Sequence, residues 1–208
     1  MIERVSTELN ASRRNGIMDT EKLGQSRFLN LLFRPGGRSM ESRLRHWLFD
    51  PHKTLAGADL GAGQTVLEVG CGTGFFTLPA AEMIGGSGRL IAMDPLSDFV
   101  DRVRDKIRAA GLCQVEVVRR DALRTGLPAD SIDVALLFGV VPFPTLPLDR
   151  LLPEMHRVLK PNGTMALWLF PTTAGVPRAV LRSGLFTALG RKNGVYRYRK
   201  ADAPGRTR

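Results

Sequence analysis

The chain of 208 residues is short of cysteine, short of histidine and without a long hydrophobic run, with two Cys and three His in all. Each shortage excludes something. Two cysteines cannot build the disulfide framework of a small secreted domain, and no Cys/His cluster has metal-ligand spacing, so neither a disulfide scaffold nor a metal is implied. The longest apolar run, Val134 to Phe143, falls well short of the roughly 20 residues of a membrane-spanning helix and ends in prolines. The first residues carry Glu3, Glu8 and the pair Arg13-Arg14 without an apolar stretch, so no secretory signal is expected and the cytoplasm is the expected compartment. The hydrophobic share of 43% and charged share of 24% are ordinary, which leaves one soluble globular domain with room for a proper core.

Acidic residues are missing from one end. Residues 174–208 hold nine Lys/Arg against one Asp/Glu, whereas residues 51–173 hold 12 against 13 and residues 1–50 hold nine against six. The net charge of +10 therefore belongs mainly to the C-terminal segment. Cationic segments seek polyanions, either nucleic acid or an anionic membrane surface. The plain alternative is a solvated, charged hairpin with a frayed tail.

What is present is concentrated at residues 66–77, Val-Leu-Glu-Val-Gly-Cys-Gly-Thr-Gly-Phe-Phe-Thr. An apolar strand runs into glycines at alternate positions, Gly70, Gly72 and Gly74, and then into a helical pattern. Glycine permits unusual φ/ψ values and lets a ligand lie against bare backbone, while the following helix directs unpaired N–H groups toward the same space. Strand, glycine turn and helix form a nucleotide cradle. Asp94 ends the next apolar strand at the distance where an acid takes a pair of ribose hydroxyls. The turn reads G-x-G-x-G, not the G-x-G-x-x-G of pyrophosphate binders. Glu68, just before it, suits a ligand bearing an ammonium or sulfonium better than one bearing phosphates. A third carboxylate, Asp121, follows the strand 115–118 and is succeeded by Ala122.

E-V-G-C-G-T-G, Asp94, D-A at 121–122, S-I-D-V-A-L-L-F at 131–138 and E-M-H-R-V-L-K-P-N-G at 154–163 follow one another in a familiar order. This series resembles class I S-adenosylmethionine-dependent methyltransferases, and most of all the small-molecule branch typified by ubiquinone and menaquinone biosynthesis. The resemblance covers about residues 55–170. It implies S-adenosyl-L-methionine as cofactor, with the backbone at Gly70, Cys71, Gly72 and Gly74 near the methionine moiety and Glu68 near its α-ammonium. It further implies Asp94 on the ribose hydroxyls, Asp121 on the adenine amine, the Ala122 N–H on a ring nitrogen, and Met93, Pro95 and Leu123 as apolar walls. Phe138 and Gly139 occupy the position that faces the methionine tail and the methyl acceptor. Asp133 reads as structural. Catalytic residues are not legible: a displacement on a sulfonium needs positioning more than a base, and His46 and His52 are only weak candidates. His156 reads as a packed helix residue and Cys113 as a small buried one.

Alternating strands and helices predict an α/β, doubly wound parallel sheet. Predicted helices are 52–58, 75–84, 97–110, 148–159 and 177–183; predicted strands are 65–69, 89–93, 115–118, 132–138, 164–170, 185–190 and 195–200. Asn193-Gly194 between the last two is a strong hairpin signal. The resemblance implies a Rossmann-like seven-stranded sheet in the order 3-2-1-4-5-7-6, with strand 7 antiparallel. Domain boundaries are expected at 1–50, an N-terminal arm and lid whose start is flexible, 51–202, the methyltransferase domain, and 203–208, a basic tail. The lid, Arg27 to Phe49, mixes Phe28, Leu31, Phe33 and Trp47 with arginines, a composition suited to peripheral contact with an anionic membrane.

The expected function is methyl transfer to a small-molecule or lipid-like acceptor with a hydrophobic body. The loop Gly139 to Pro144 is apolar and lacks the [DN]-P-P-[FYW] motif of base-amine methyltransferases, which makes nucleic acid the weaker partner. The runner-up is an RNA or protein methyltransferase using the basic C-terminal segment, where Tyr196 and Tyr198 stack bases or, at period 2, pack on one face. A non-catalytic cofactor-binding module comes third. Acceptor identity and oligomeric state are not legible.

Overall fold

The computed structural model describes residues 50–142, 145–169 and 175–202. His46, the proposed lid, Phe143-Pro144 and the tail at 203–208 lie outside the described residues. Helix α1 (Pro51–Leu55) opens the domain. Pro51 sits at the first helical position, where its missing N–H costs nothing, and Asp50 caps the helix by accepting from His52 N–H at 2.9 Å. The chain then alternates: β1 (Thr65–Val69), α2 (Thr77–Ile84), β2 (Arg89–Asp94), α3 (Ser97–Ala109), β3 (Val115–Arg119), β4 (Ile132–Phe138), α4 (Leu148–Val158), β5 (Leu159–Trp168), α5 (Val176–Arg182), β6 (Phe186–Lys192) and β7 (Val195–Lys200).

The seven strands form one sheet in the order β3-β2-β1-β4-β5-β7-β6, with β7 antiparallel to both neighbours. Helices α1 and α2 bury Leu55, Ala80, Ala81 and Ile84 on one face, and α3 adds Val100, Val103 and Ile107 beside them. Helices α4 and α5 cover the other face with Leu151, Leu152, Met155, Val176 and Val180. β4, almost uniformly apolar in sequence, is the central strand; all of it is buried except Asp133. That carboxylate accepts from Thr65 N–H at 2.8 Å and pairs with Lys160 at 2.8 Å, stapling the amino ends of β1 and β5 to β4, which is the structural role expected of it.

Element limits differ from the sequence reading where local bonds override periodicity. α2 begins at Thr77 and not Phe75, because Gly74 N–H still closes the glycine turn on Cys71 O at 2.9 Å. β5 begins at Leu159, five residues before the expected start. Ile132 pairs with Leu159 and Val134 with Thr164, so Lys160 to Gly163 are looped out of register, with Asn162 at φ 64°. Asn193 and Gly194, at φ 50° and 81°, make the predicted tight hairpin turn. Cys113 is exposed at the α3–β3 corner and not buried.

The hairpin is tied to the first helix. Asn193 Nδ2 donates to Lys53 O at 2.8 Å, and Arg197 reaches Asp59 at 2.8 Å. A Cβ on Gly57 would lie 2.4 Å from Lys192 O, a backbone atom that has no easy retreat. Gly57→Ala is therefore expected to destabilise the protein by about 1–3 kcal/mol. Urea unfolding should show the lower midpoint, while the carboxyl-edge site keeps its ligand affinity.

Candidate functional site

The glycine turn stands at the carboxyl ends of β1 and β2, where strand order reverses between β1 and β4, the usual ligand crevice of a doubly wound sheet. Gly70, Gly72 and Gly74 all have positive φ, 71°, 52° and 85°, so other residues would be strained there. Gly70 and Cys71 N–H both donate to Met93 O, at 2.7 and 3.0 Å, and Lys106 Nζ holds Thr73 O at 2.9 Å. The turn is thus clamped from both β2 and α3.

Two of the glycines answer to the protein itself. A Cβ at Gly70 would meet Val140 Cγ1 at 2.3 Å, and one at Gly74 would meet Val103 and Leu78 at 3.3 and 3.4 Å. Gly70 lets the loop after β4 press onto the turn; Gly74 lets α2 and α3 close around it. The Cys71 side chain points into the core beneath α3 with Ala92, Val100 and Val103, and its burial raises the thiol pKa well above its ordinary value.

Two carboxyl groups are withdrawn from water beside this turn, with Glu68 at 3% exposure and Asp94 at 5%. Thr77 Oγ1 donates to Glu68 Oε2 at 2.7 Å. Asp94 accepts from Gly72 N–H at 3.0 Å on one oxygen and from Leu96 N–H at 2.9 Å on the other. Burial pushes the Glu68 carboxyl up to about 7, against the Thr77 hydrogen bond, and the Asp94 charge adds to the rise. Burial likewise pushes Asp94 up to about 6, against its two backbone donors. Among the described residues no basic side chain pairs with either group. Two buried acids without a cation are what a cationic ligand would complete. Each carboxylate oxygen keeps a second lone pair, so Asp94 can still accept from hydroxyl groups.

The remaining predicted residues fall around this pair. Pro95 is half-buried immediately after Asp94. Asp121, half-buried past the end of β3, closes a local turn on Leu123 N–H at 2.9 Å. Ala122 and Leu123 pack with Met93 in the core, so Met93 and Leu123 back the crevice from within the sheet layer. Phe138 ends β4, and Gly139, at φ 70°, turns the chain away with its N–H on Trp168 O at 2.9 Å.

Sequence reasoning missed an aromatic row. Phe76 stands edge to face with Phe75, Phe138 and Trp168 at centroid distances of 4.9, 5.0 and 5.6 Å. Phe138 and Trp168 are partners across β4 and β5, so strand register alone would have found Trp168 once Phe138 was singled out. Thr77 was missed too, although it follows the turn directly. His52 is exposed and points to Glu82 at 3.9 Å, at the far end of α2 from Thr77. His156 bonds Ala201 O at 2.9 Å and stacks on Phe186, a packing role. Tyr198 is buried, and Tyr196 packs against the same cluster under the Arg191 guanidinium at 4.7 Å, so the tyrosines pack on one face as the plain alternative had it.

A sheet of this order with paired acids over a G-x-G-x-G turn defines the class I methyltransferase fold. Residues 66–163, just under half of the chain, match the family described as a methyltransferase domain, which supports a class I S-adenosylmethionine-dependent methyltransferase. Demethylmenaquinone methyltransferases of Listeria monocytogenes serotype 4b and Geobacillus stearothermophilus are 35% and 33% identical to it over 105 and 102 residues. These stretches are 50% and 49% of this chain, and 44% and 43% of the relatives, so the chain spans less than half the length of the curated relatives it matches. Among solved structures, an S-adenosylmethionine-dependent methyltransferase from Aquifex aeolicus superposes with a TM-score of 0.65 at 23% identity. The match covers 80% of this chain and 96% of that one, a likeness of fold.

The raised carboxyl values make a pH prediction. The folded protein holds protons on Glu68 and Asp94 that the unfolded chain releases, so its stability falls as pH rises through the window from 4.5 to about 7 for Glu68 and from 3.8 to about 6 for Asp94. Glu68→Gln should flatten the upper part of that slope in thermal unfolding. A cationic ligand needs the ionised pair, so affinity for S-adenosylmethionine should rise with pH across the same window, with protons released on binding. Calorimetry in buffers of different ionisation enthalpy measures that release. A profile flat with pH would remove Glu68 from the ligand's reach.

Proposed function

We propose that the protein transfers the methyl group of S-adenosylmethionine to a small-molecule or lipid-like acceptor with a hydrophobic body. The observation that carries this reading is the buried pair Glu68 and Asp94 at the glycine turn, which no basic side chain among the described residues pairs with. Bound S-adenosylmethionine would supply an activated methyl group on a sulfonium, whose S–CH3 bonding electrons would return to sulfur as the acceptor's lone pair takes the methyl. The chain's own part is to hold and to dry the site. Glu68 takes the α-ammonium, Asp94 the ribose hydroxyls, and Asp121 with Ala122 N–H the adenine edge. Phe138, Gly139 and the Val140 side face the acceptor. Such positioning is worth about 7–11 kcal/mol of barrier, enough to leave a general base optional.

The relatives' names support a quinone-like acceptor, and half-buried Trp168, at the rim of the buried Phe76–Phe138 pair, is the aromatic ring open to an apolar one. The RNA reading loses its stacking platform, since neither tyrosine of β7 offers a free ring face. Arg27 to Phe49 is proposed as the lid over the acceptor, in a cytoplasmic protein that works at the membrane periphery. Deleting residues 1–38 should leave cofactor affinity nearly intact and abolish turnover.

Methyl-labelled cofactor presented with a panel of quinols, phenols and amphiphilic lipids tests the reaction directly; label remaining on the cofactor with every acceptor would favour a non-catalytic module. Trp168→Ala should lower kcat/KM for the acceptor about tenfold or more, the scale of one lost aromatic contact. Its cofactor affinity should stay unchanged in the same preparation. Equal losses in both would place Trp168 in the folding core and not in the acceptor wall. Asp94→Ala should weaken cofactor binding by roughly 1.5–3 kcal/mol, as for a hydrogen bond to a charged group.

A further inference from the structure

We propose that the outer face of α5, with the adjoining end of β6, is a docking surface for an anionic lipid bilayer. It stands on observations separate from the methyl-transfer reading and holds even for a water-soluble acceptor. From Gly175 to Lys200 the sequence holds seven Lys/Arg and no Asp/Glu. Arg197 and Lys200 are spent on Asp59 and Asp130. Arg178, Arg182 and Arg191 are exposed, and among the described residues no carboxylate pairs with them.

Helical geometry gathers this charge onto one side. At about 100° per residue, Arg178, Leu181 and Arg182 fall within one arc of α5, opposite Val176 and Val180, which are buried. Leu181, at 47%, is the large hydrophobic residue most open to solvent among those described. It stands at one edge of this arc, beside Arg178 and one position before Arg182. Arg191 lies on the same sheet face, since its guanidinium covers Tyr196, which packs on the cluster that α5 roofs. β6 itself is an edge strand, exposed along most of its length.

An exposed leucine beside unpaired arginines matches the interface of a bilayer, where the apolar group enters the acyl boundary and the cations meet lipid phosphates. A nucleic-acid surface would pair cations with open aromatic faces, and here the aromatic rings are covered or buried. Each Lys or Arg near an anionic surface strengthens binding about fivefold, so three cations act together to a useful degree.

The full-length protein should sediment with vesicles of phosphatidylcholine and phosphatidylserine, fail to sediment with phosphatidylcholine alone, and dissociate in high salt. Arg178→Glu with Arg182→Glu should weaken binding about tenfold or more, and Leu181→Ser should weaken it severalfold at unchanged charge. Both variants should keep wild-type cofactor affinity, which certifies their fold and separates this proposal from the site. Three outcomes would overturn it: no binding to anionic vesicles, vesicle binding that the α5 variants leave unchanged, or tighter binding to single-stranded RNA that Leu181→Ser does not affect.

Discussion

The arrangement depends on one electrostatic debt, the burial of Glu68 and Asp94 side by side at the ends of adjacent strands. Two acids with no basic partner among the described residues destabilise the folded chain whenever both are ionised, and their raised pKa values reflect that cost. The protein tolerates it because every other part of the site is fixed independently: Thr77 holds Glu68, backbone N–H groups hold Asp94, and the glycine turn is pinned to Met93 O and Lys106. A rigid frame around an uncompensated charge is a preorganised receptor for the opposite charge. Ligand binding then restores stability that burial removed.

The same turn is packed against the loop that follows β4. Val140, on the loop that follows β4, lies where a Gly70 side chain would stand. Gly139 swings that loop over, and its N–H is fixed to Trp168 O at the end of β5. The glycine turn, the loop after β4 and the aromatic row are therefore joined across β1, β4 and β5. A small displacement at any of the three reaches the others through packed atoms. For the proposed transfer, which rests on positioning, such contact matters more than the presence of an acid or base.

Sequence patterns made the parallel part of the sheet legible because its strands are rich in Val, Leu and Ile and its helices end at glycines such as Gly85 and Gly111. The hairpin was legible because Asn193-Gly194 is nearly specific for its turn. Strand order beyond β5 came from family resemblance, since nothing in the periodicity of β6 and β7 says which lies inside. The looped-out Lys160 to Gly163 escaped notice because a proline, an asparagine and a glycine in a row read as a helix terminator, and here they are also a bulge within a strand. At the site, Glu68 and Asp94 were visible as isolated acids at strand ends. Trp168 and Thr77 were not, because an aromatic residue at a strand end and a threonine in a first helical turn are ordinary until register and rotamer bring them beside Phe138 and Glu68. The alternate glycines marked a turn of positive φ, and two of them also make room for Val140 and Val103.

The distribution of charge follows from the same constraint. Lys106 meets the glycine turn at the Thr73 carbonyl, but among the described residues no lysine or arginine forms a salt bridge with Glu68 or Asp94. Most of the chain's net positive charge lies instead in the segment that holds α5, β6 and β7. β6 is four strand spacings from β1, which at about 4.8 Å each is roughly 19 Å. That is more than twice the screening length of about 8 Å in physiological salt. The basic edge therefore leaves the potential at the glycine turn almost unaltered. One small domain can seek a cation at the centre of its sheet and an anionic surface at its edge, because β4, β5 and β7 separate the two.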